Sequence, residues 1–285
     1  MNAIGIVAEY NPFHDGHIYQ IESSVRQSLA DVVVVAMSGN FVQRGEPAIC
    51  DKWKRAEIAL MSGADLIVEI PTYFCLSDAR TYAGAGMTLF KKLGGISMVS
   101  FGSESGDIEA IKEAGAFLNE KYSIIEQEIK KLTVKGFSYP RARQEILQRL
   151  GAGPKVLKVI SAPNDTLGME YIRNWDKKSS ICIKRNKTSA TEIRRKLYDG
   201  DYQLGMLPSI TEDILFREHS HEDFPKLLKE RDERTFELLR FIILRENAFH
   251  LEEMPQAGEG LAFRLKKAAL KAKNLGELIE LSKSK

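Results

Sequence analysis

The chain has 285 residues, enough for one large or two ordinary domains. Its 44 % hydrophobic and 28 % charged residues suit a globular protein that buries a core, not a disordered one. Its 41 basic residues nearly balance 39 acidic ones, which excludes a surface that is basic throughout and holds nucleic acid by bulk charge.

In chain order, Ala3 to Ala8 is a β-branched run read as a buried strand, and Asn11, Pro12 and Gly16 mark a loop after it. From His17 to Leu29 the pattern is helical, with Ile18, Ile21, Val25 and Leu29 on one face. Val32 to Met37 is a second strand, and Trp53 to Met61 a helix closed by Gly63. Leu66 to Ile70 is a third strand, stopped by Pro71, and Asp78 to Leu93 is a helix ending at Gly94 and Gly95. Ile96 to Phe101 is a fourth strand, and Asp107 caps the helix after it. This alternation predicts an α/β fold with a doubly wound parallel sheet, whose ligands bind at the carboxyl ends of its strands.

Ile108 to Leu150 reads as helix broken near Gly136 and Pro140, and Ser180 to Ile183 as a fifth strand. The polar loop Lys184 to Lys187 follows, and Thr188 or Ser189 caps a helix through Leu197. From Ile210 to Leu281 the periodicity is helical, with Phe236, Leu239, Ile243 and Leu244 as an apolar stripe. Two domains are expected: an α/β domain over 1–205 and a smaller all-helical domain over 206–285. Three scattered cysteines (Cys50, Cys75 and Cys182) form no CxxC pair, which points to a reducing, cytoplasmic setting. No segment reads as a signal peptide or a membrane span.

The chemistry concentrates at His14-Asp15-Gly16-His17, between a strand and a helix. A helix N-terminus offers unpaired N–H groups and partial positive charge, which suits phosphate. Gly16 allows close backbone approach, and the histidines can donate to phosphate oxygens as charge develops. An HxGH string is short, and two loop histidines are its bland alternative; a zinc site is disfavoured by the absence of i,i+4 spacing and a third ligand. Ser189-Ala190-Thr191-Glu192-Ile193-Arg194 opens another helix with two hydroxyls and an arginine, equally readable as capping or as a second phosphate clamp. Ser38 to Pro47 follows the second strand and carries Asn40, Gln43 and Arg44, with Lys52 and Arg55 on the next helix. Gly102 ends the fourth strand, Asn164-Asp165 precedes a helix that Asp165 would cap, and Arg185 ends the fifth strand.

Together these segments resemble the bacterial tRNA(Met) cytidine acetate ligases, within the HxGH nucleotidyltransferase superfamily. Gly5 to His17 is similar to that family's opening signature and Ser38 to Pro47 to its SGNFxQRGEPA segment. Phe101 to Glu104, Asn164 to Tyr171 and Ile183 to Arg185 are similar to three further blocks. The resemblance implies that acetate attacks the α-phosphate of ATP, and that the acetyl-adenylate then acetylates the wobble cytidine of elongator tRNA(Met), giving N4-acetylcytidine. It implies catalytic roles for His14, His17 and Arg44. ATP contacts would fall on Val7, Ala8, Glu9, Tyr10, Asn11, Pro12, Phe13, His14, Asp15, Gly16, His17, Ile18, Tyr19 and Gln20. Gly102, Asn164, Arg185, Ser189 and Thr191 would complete them. Substrate contacts would come from Ser38, Asn40, Gln43, Lys52 and Arg55. Mg2+ normally accompanies ATP, although no dedicated metal ligands are evident.

Two departures stand out. Asp15 replaces the asparagine frequent in the family, and family members usually continue past this length with a basic stretch, so a C-terminally truncated helical domain is expected. Arg264, Lys267 and Lys271 are its basic candidates for RNA. The competing readings are a small-molecule adenylyltransferase, of the pantetheine-phosphate or nicotinamide-mononucleotide kind, and a non-catalytic tRNA-binding protein.

Overall fold

A computed structural model describes residues 2–134, 137, 139–176, 179–185, 189–254, 257 and 260–283. Gly136, the stretch 186–188 and the final two residues, where a helix break, part of a loop, one of two caps and the chain end were expected, lie outside them.

Five parallel strands form one sheet: β1 (Ala3–Ala8), β2 (Val32–Ser38), β3 (Leu66–Ile70), β4 (Ile96–Ser103) and β5 (Ser180–Lys184). Their order is β3-β2-β1-β4-β5, so the direction of winding reverses between β1 and β4. Alternation along the strands explains why both faces are covered. Ile4 and Ile6 of β1, with Val33, Val35 and Met37 of β2, face one apolar cluster with Ile21 and Ile58. Val34 and Ala36 face the other, with Phe90, Val99 and Phe101. Burying each such side chain is worth roughly 1.5–3 kcal/mol. Gly5 completes the pattern, since a Cβ there would lie 2.7 Å from the Phe90 ring.

The helices that frame the sheet begin where short polar side chains satisfy free N–H groups. In α1 (Asp15–Ser28) that side chain is His14; in α2 (Lys52–Met61) Asp51 accepts from the N–H groups of Trp53 and Lys54. A short helix α3 (Thr72–Cys75), not anticipated from the sequence, follows Pro71, and Asp78 caps α4 (Ala79–Leu93). Helices α5 (Ile108–Glu120), α6 (Tyr122–Val134) and α7 (Tyr139–Arg149) lead to α8 (Pro154–Ser161), not anticipated from the sequence, and to α9 (Pro163–Asn174), the helix expected at Asn164-Asp165. Each of the last two starts with proline, the residue that tolerates a missing N–H there. Asp165, expected as a cap, lies inside the first turn of α9.

The chain divides into two compact units: Met1–Arg194 with Gln203–Glu218, and Arg195–Tyr202 with His219–Lys285. The expected boundary at 205/206 thus falls within a stretch, Gln203–Glu218, that clusters with the first unit. Helix α10 (Ala190–Asp199) runs across the division, and α11 (Ser209–Leu215) belongs to the first unit. The second unit contains α12 (Phe224–Arg245), α13 (Ala248–Glu252), α14 (Leu261–Ala269) and α15 (Leu275–Ser282). Phe236 and Ile243 enter its core with Ala262 and Leu278, whereas Leu239 and Leu244 of the expected stripe stay exposed. Arg264 donates through Nε to the Ser282 carbonyl, while Lys267 and Lys271 lie exposed. Among the described residues no helix is long and apolar enough to cross a membrane.

Candidate active site

A cleft of about 810 Å³ opens where the winding reverses, at the carboxyl ends of β1 and β4, a volume that accommodates a nucleotide. Its floor is built by the loop after β1. Tyr10 and Phe13 are buried and meet edge to face at 4.8 Å, so the loop is pinned into the core by its aromatic rings. Asn11 holds two distant segments: its Oδ1 accepts from Ile49 N–H at 2.7 Å, and its carbonyl accepts from Arg194 Nη1 at 2.7 Å.

On that support His14 and His17 stack at 3.8 Å between ring centroids, 17° apart. His14 Nδ1 accepts from Gly16 N–H and His17 Nδ1 accepts from His14 N–H, both at 3.1 Å. A backbone N–H only donates, so each ring must present an unprotonated Nδ1 and carry its hydrogen on Nε2. Burial, reinforced by Arg185, lowers the His14 pKa to about 4. Burial and then the neighbouring His14 and Arg185 hold His17 well below its usual value. Both rings are therefore neutral donors near pH 7. His14 Nε2 is buried without a partner, which leaves a hydrogen-bond donor to be satisfied by something bound. Gly16 is required for this arrangement: a Cβ there would lie 2.8 Å from His14 Cε1.

Of the residues expected to meet ATP, Val7, Ala8, Glu9, Tyr10, Asn11, His14, His17 and Gln20 line the cleft, as do Gly102, Asn164, Arg185, Ser189 and Thr191. Gly16 and Tyr19 border a small adjoining recess with Lys184. Pro12, Phe13, Asp15 and Ile18 do not line it; Pro12 and Phe13 are buried beneath the loop, and Asp15 faces solvent. Arg44 and Gln43 stand on the rim, with Gln43 N–H donating to Glu9 Oε1 at 2.9 Å.

The remaining expected substrate contacts are elsewhere. Arg55 is fully buried and donates to the carbonyls of Glu9 (2.6 Å), Ser38 (3.1 Å), Cys50 (3.3 Å) and Gly39. It is the knot that joins the ends of β1 and β2 to α2. Ser38 is buried against Tyr82 Oη, Asn40 Oδ1 accepts from Lys52 N–H, and Lys52 Nζ pairs with Glu69 at 2.5 Å.

Several lining residues were not foreseen. Ile160, Leu167 and Tyr171 come from α8 and α9, and Ala79 and Tyr82 from α4. No helix was anticipated over α8, although the proline at its N-terminus marked one. Glu104 also lines the cleft; its carboxylate accepts from Asn164 N–H at 3.1 Å and Asp165 N–H at 2.9 Å, capping α9 in place of Asp165. Asp165 instead accepts from Glu104 N–H at 3.0 Å, Ser105 N–H at 3.2 Å and Ser103 Oγ. Asn164 and Arg185 are linked as well, Arg185 Nη1 donating to Asn164 Oδ1 at 3.1 Å. Among the described residues no cluster of three or more His, Cys, Asp or Glu could hold a metal ion.

A family model described as HIGH Nucleotidyl Transferase matches residues 1–285. The tRNA(Met) cytidine acetate ligase of Caldanaerobacter subterraneus is 35 % identical over 303 residues, which span all of this chain and 74 % of that protein. The chain belongs to this family. The ligase from Clostridium perfringens is 33 % identical over all of this chain and 75 % of its own length. Thermotoga maritima TmcAL, in a crystal structure bound with alpha-thio ATP, superposes with a TM-score of 0.85 at 31 % identity, covering all of this chain and 71 % of that one. Its apo form gives the same TM-score, 0.85, at 30 % identity. The family relationship and the HxGH cleft therefore agree, and the doubly wound sheet is the ligase family's nucleotidyltransferase fold.

Proposed function

We infer that this protein is an ATP-dependent tRNA(Met) cytidine acetate ligase. It condenses acetate with ATP to acetyl-adenylate and pyrophosphate, and passes the acetyl group to the N4 amine of the wobble cytidine in elongator tRNA(Met). The observation that carries the reading is the stacked histidine pair, whose Nδ1 atoms are occupied by the backbone and whose Nε2–H donors are held neutral at the cleft.

The residues suit each step. In the first, an acetate oxygen bonds to the α-phosphorus and the bond to the bridging oxygen breaks, releasing pyrophosphate. Negative charge grows on phosphate oxygens, which neutral N–H donors and Arg185 stabilise without giving up a proton. Ser189 and Thr191 at the start of α10 receive the departing phosphates, with Arg44 and Arg194 lining the same cleft. In the second step the cytidine amine attacks the acetyl carbon, AMP leaves with the former acetate oxygen, and the amine loses a proton. Mg2+ would arrive with the nucleotide and offset the charge of its phosphates; Glu9 and Glu104, in the same cleft, accept backbone N–H groups and hold the surrounding loops. The cytoplasm, where tRNA is modified, is the setting this reading requires.

Acetate-dependent ATP–pyrophosphate exchange tests it without RNA. Exchange with acetate alone is expected, and His17→Ala should lower its rate about 100- to 1,000-fold. Exchange that needs a phosphorylated acceptor instead of acetate would overturn the reading.

A further inference from the structure

The carboxyl ends of β2 and β3 carry an unusual surface. Phe41 is 36 % exposed, Trp53 74 %, Tyr73 59 % and Phe74 38 %. Rings of this size normally contribute to a core or an interface, so their collection at one edge of the sheet calls for a partner. The surface continues into the cleft rim. Gln43 Nε2 donates to the Ser77 carbonyl at 3.1 Å, tying the loop after β2 to the turn between α3 and α4, and Gln43, Arg44 and Ala79 all line the cleft. Tyr73 and Phe74 meet edge to face at 5.3 Å in the helix just before that turn. Charge stands beside the rings: Lys52 Nζ lies 5.1 Å from the Trp53 ring centroid while paired with Glu69, and Arg44 is exposed at the rim.

We propose that this aromatic and basic rim is the docking surface for the single-stranded loop of the RNA substrate, with Trp53, Tyr73 and Phe74 stacking bases adjacent to the cytidine that enters the cleft. The proposal rests on reading the cleft as the acetyl-transfer site. The cytidine amine lies on the Watson–Crick edge, so its base must leave the loop's stack to reach an acyl group. Its neighbours lose stacking partners at that moment, and exposed rings replace them. Arg44 supplies the charge that phosphates seek, whereas Lys52 is already paired with Glu69. A protein partner would favour an interface centre depleted of charge, whereas here Arg44 and the Lys52–Glu69 pair stand beside the rings.

The probe is a stem–loop RNA with unpaired cytidine in its loop, bound to the full chain without ATP. Trp53→Ala, and Tyr73→Ala with Phe74→Ala, should each weaken binding at least about fivefold, as loss of a stacked base does. Trp53→Phe should bind within about twofold of the parent, whereas Trp53→Leu should not, because a leucine offers area without a π face. Acetate-dependent exchange should be unchanged in all of them. Unaltered RNA affinity in the alanine variants would overturn the proposal, as would equal binding by Trp53→Leu and Trp53→Phe. A self-association lost with the rings while RNA affinity persists would overturn it too. Ring-dependent RNA binding in a parent that performs no exchange would uphold the surface and sink the adenylation reading, so the two fail separately.

Discussion

Glu104 and Asp165 each hold the other's backbone. The Glu104 carboxylate caps α9 through the N–H groups of Asn164 and Asp165, and the Asp165 carboxylate accepts from Glu104 N–H, Ser105 N–H and Ser103 Oγ. This clasp fixes Gly102 and Asn164 on either side of the cleft. Asp165→Ala would leave three donors without an acceptor at a residue that is 1 % exposed, at a cost of roughly 2–4 kcal/mol. A lowered urea midpoint and a raised KM for ATP, with a smaller change in kcat, are the expected readouts.

The fit between Gly16 and His14 predicts a selective defect. Gly16→Ala places a methyl 2.8 Å from His14 Cε1, so the ring must move and its bond to the helix N-terminus loosen. Exchange activity should fall tenfold or more by analogy with a misplaced catalytic donor, while the far-ultraviolet circular dichroism spectrum stays that of the parent. Full activity would show that the contact is relieved without displacing His14.

Stability should depend on pH through the same pair. The folded-state pKa of His14, about 4, is below its unfolded value near 6.5, and that of His17 is displaced in the same direction. Between those limits the unfolded chain takes up protons that the folded chain refuses, so stability falls as pH drops from about 6.5 towards about 4. For His14 alone the loss approaches about 3 kcal/mol. Denaturant titrations across this range test the slope, and His14→Asn, which keeps an acceptor for Gly16 N–H, should flatten part of it.

Arg55 makes a prediction opposite to its appearance in the sequence. Its guanidinium serves carbonyls of Glu9, Ser38, Gly39 and Cys50 and is fully buried. Arg55→Leu strands those acceptors and should destabilise the protein by roughly 3 kcal/mol or more. Arg55→Lys keeps the charge but lacks the planar fork, so it should recover only part of that loss in thermal unfolding.

Much of this was legible because local signals agreed. β1 and β3 lie at Ala3–Ala8 and Leu66–Ile70, as their apolar runs and flanking breakers indicated, and Asp107 caps α5. The histidine pair was legible from its place between strand and helix. Arg55 was not: it was read as a substrate contact, because a cation in the first turn of α2 beside a polar loop gives no sign of the carbonyls that converge on it in space. Arg194 reaches the Asn11 carbonyl across 183 positions of sequence, a contact that no spacing announces. Asp165 followed the pattern of a cap, but Glu104, brought from the end of β4, had already taken that role.

The wiring of the two imidazoles also protects the cleft from transition metals. A ring nitrogen coordinates a cation through a lone electron pair, yet both Nδ1 pairs point at amide hydrogens and both Nε2 atoms bear protons. For zinc or copper to lodge there, the entry to α1 would have to come apart, so two adjacent histidines can serve phosphate chemistry without becoming a chelator.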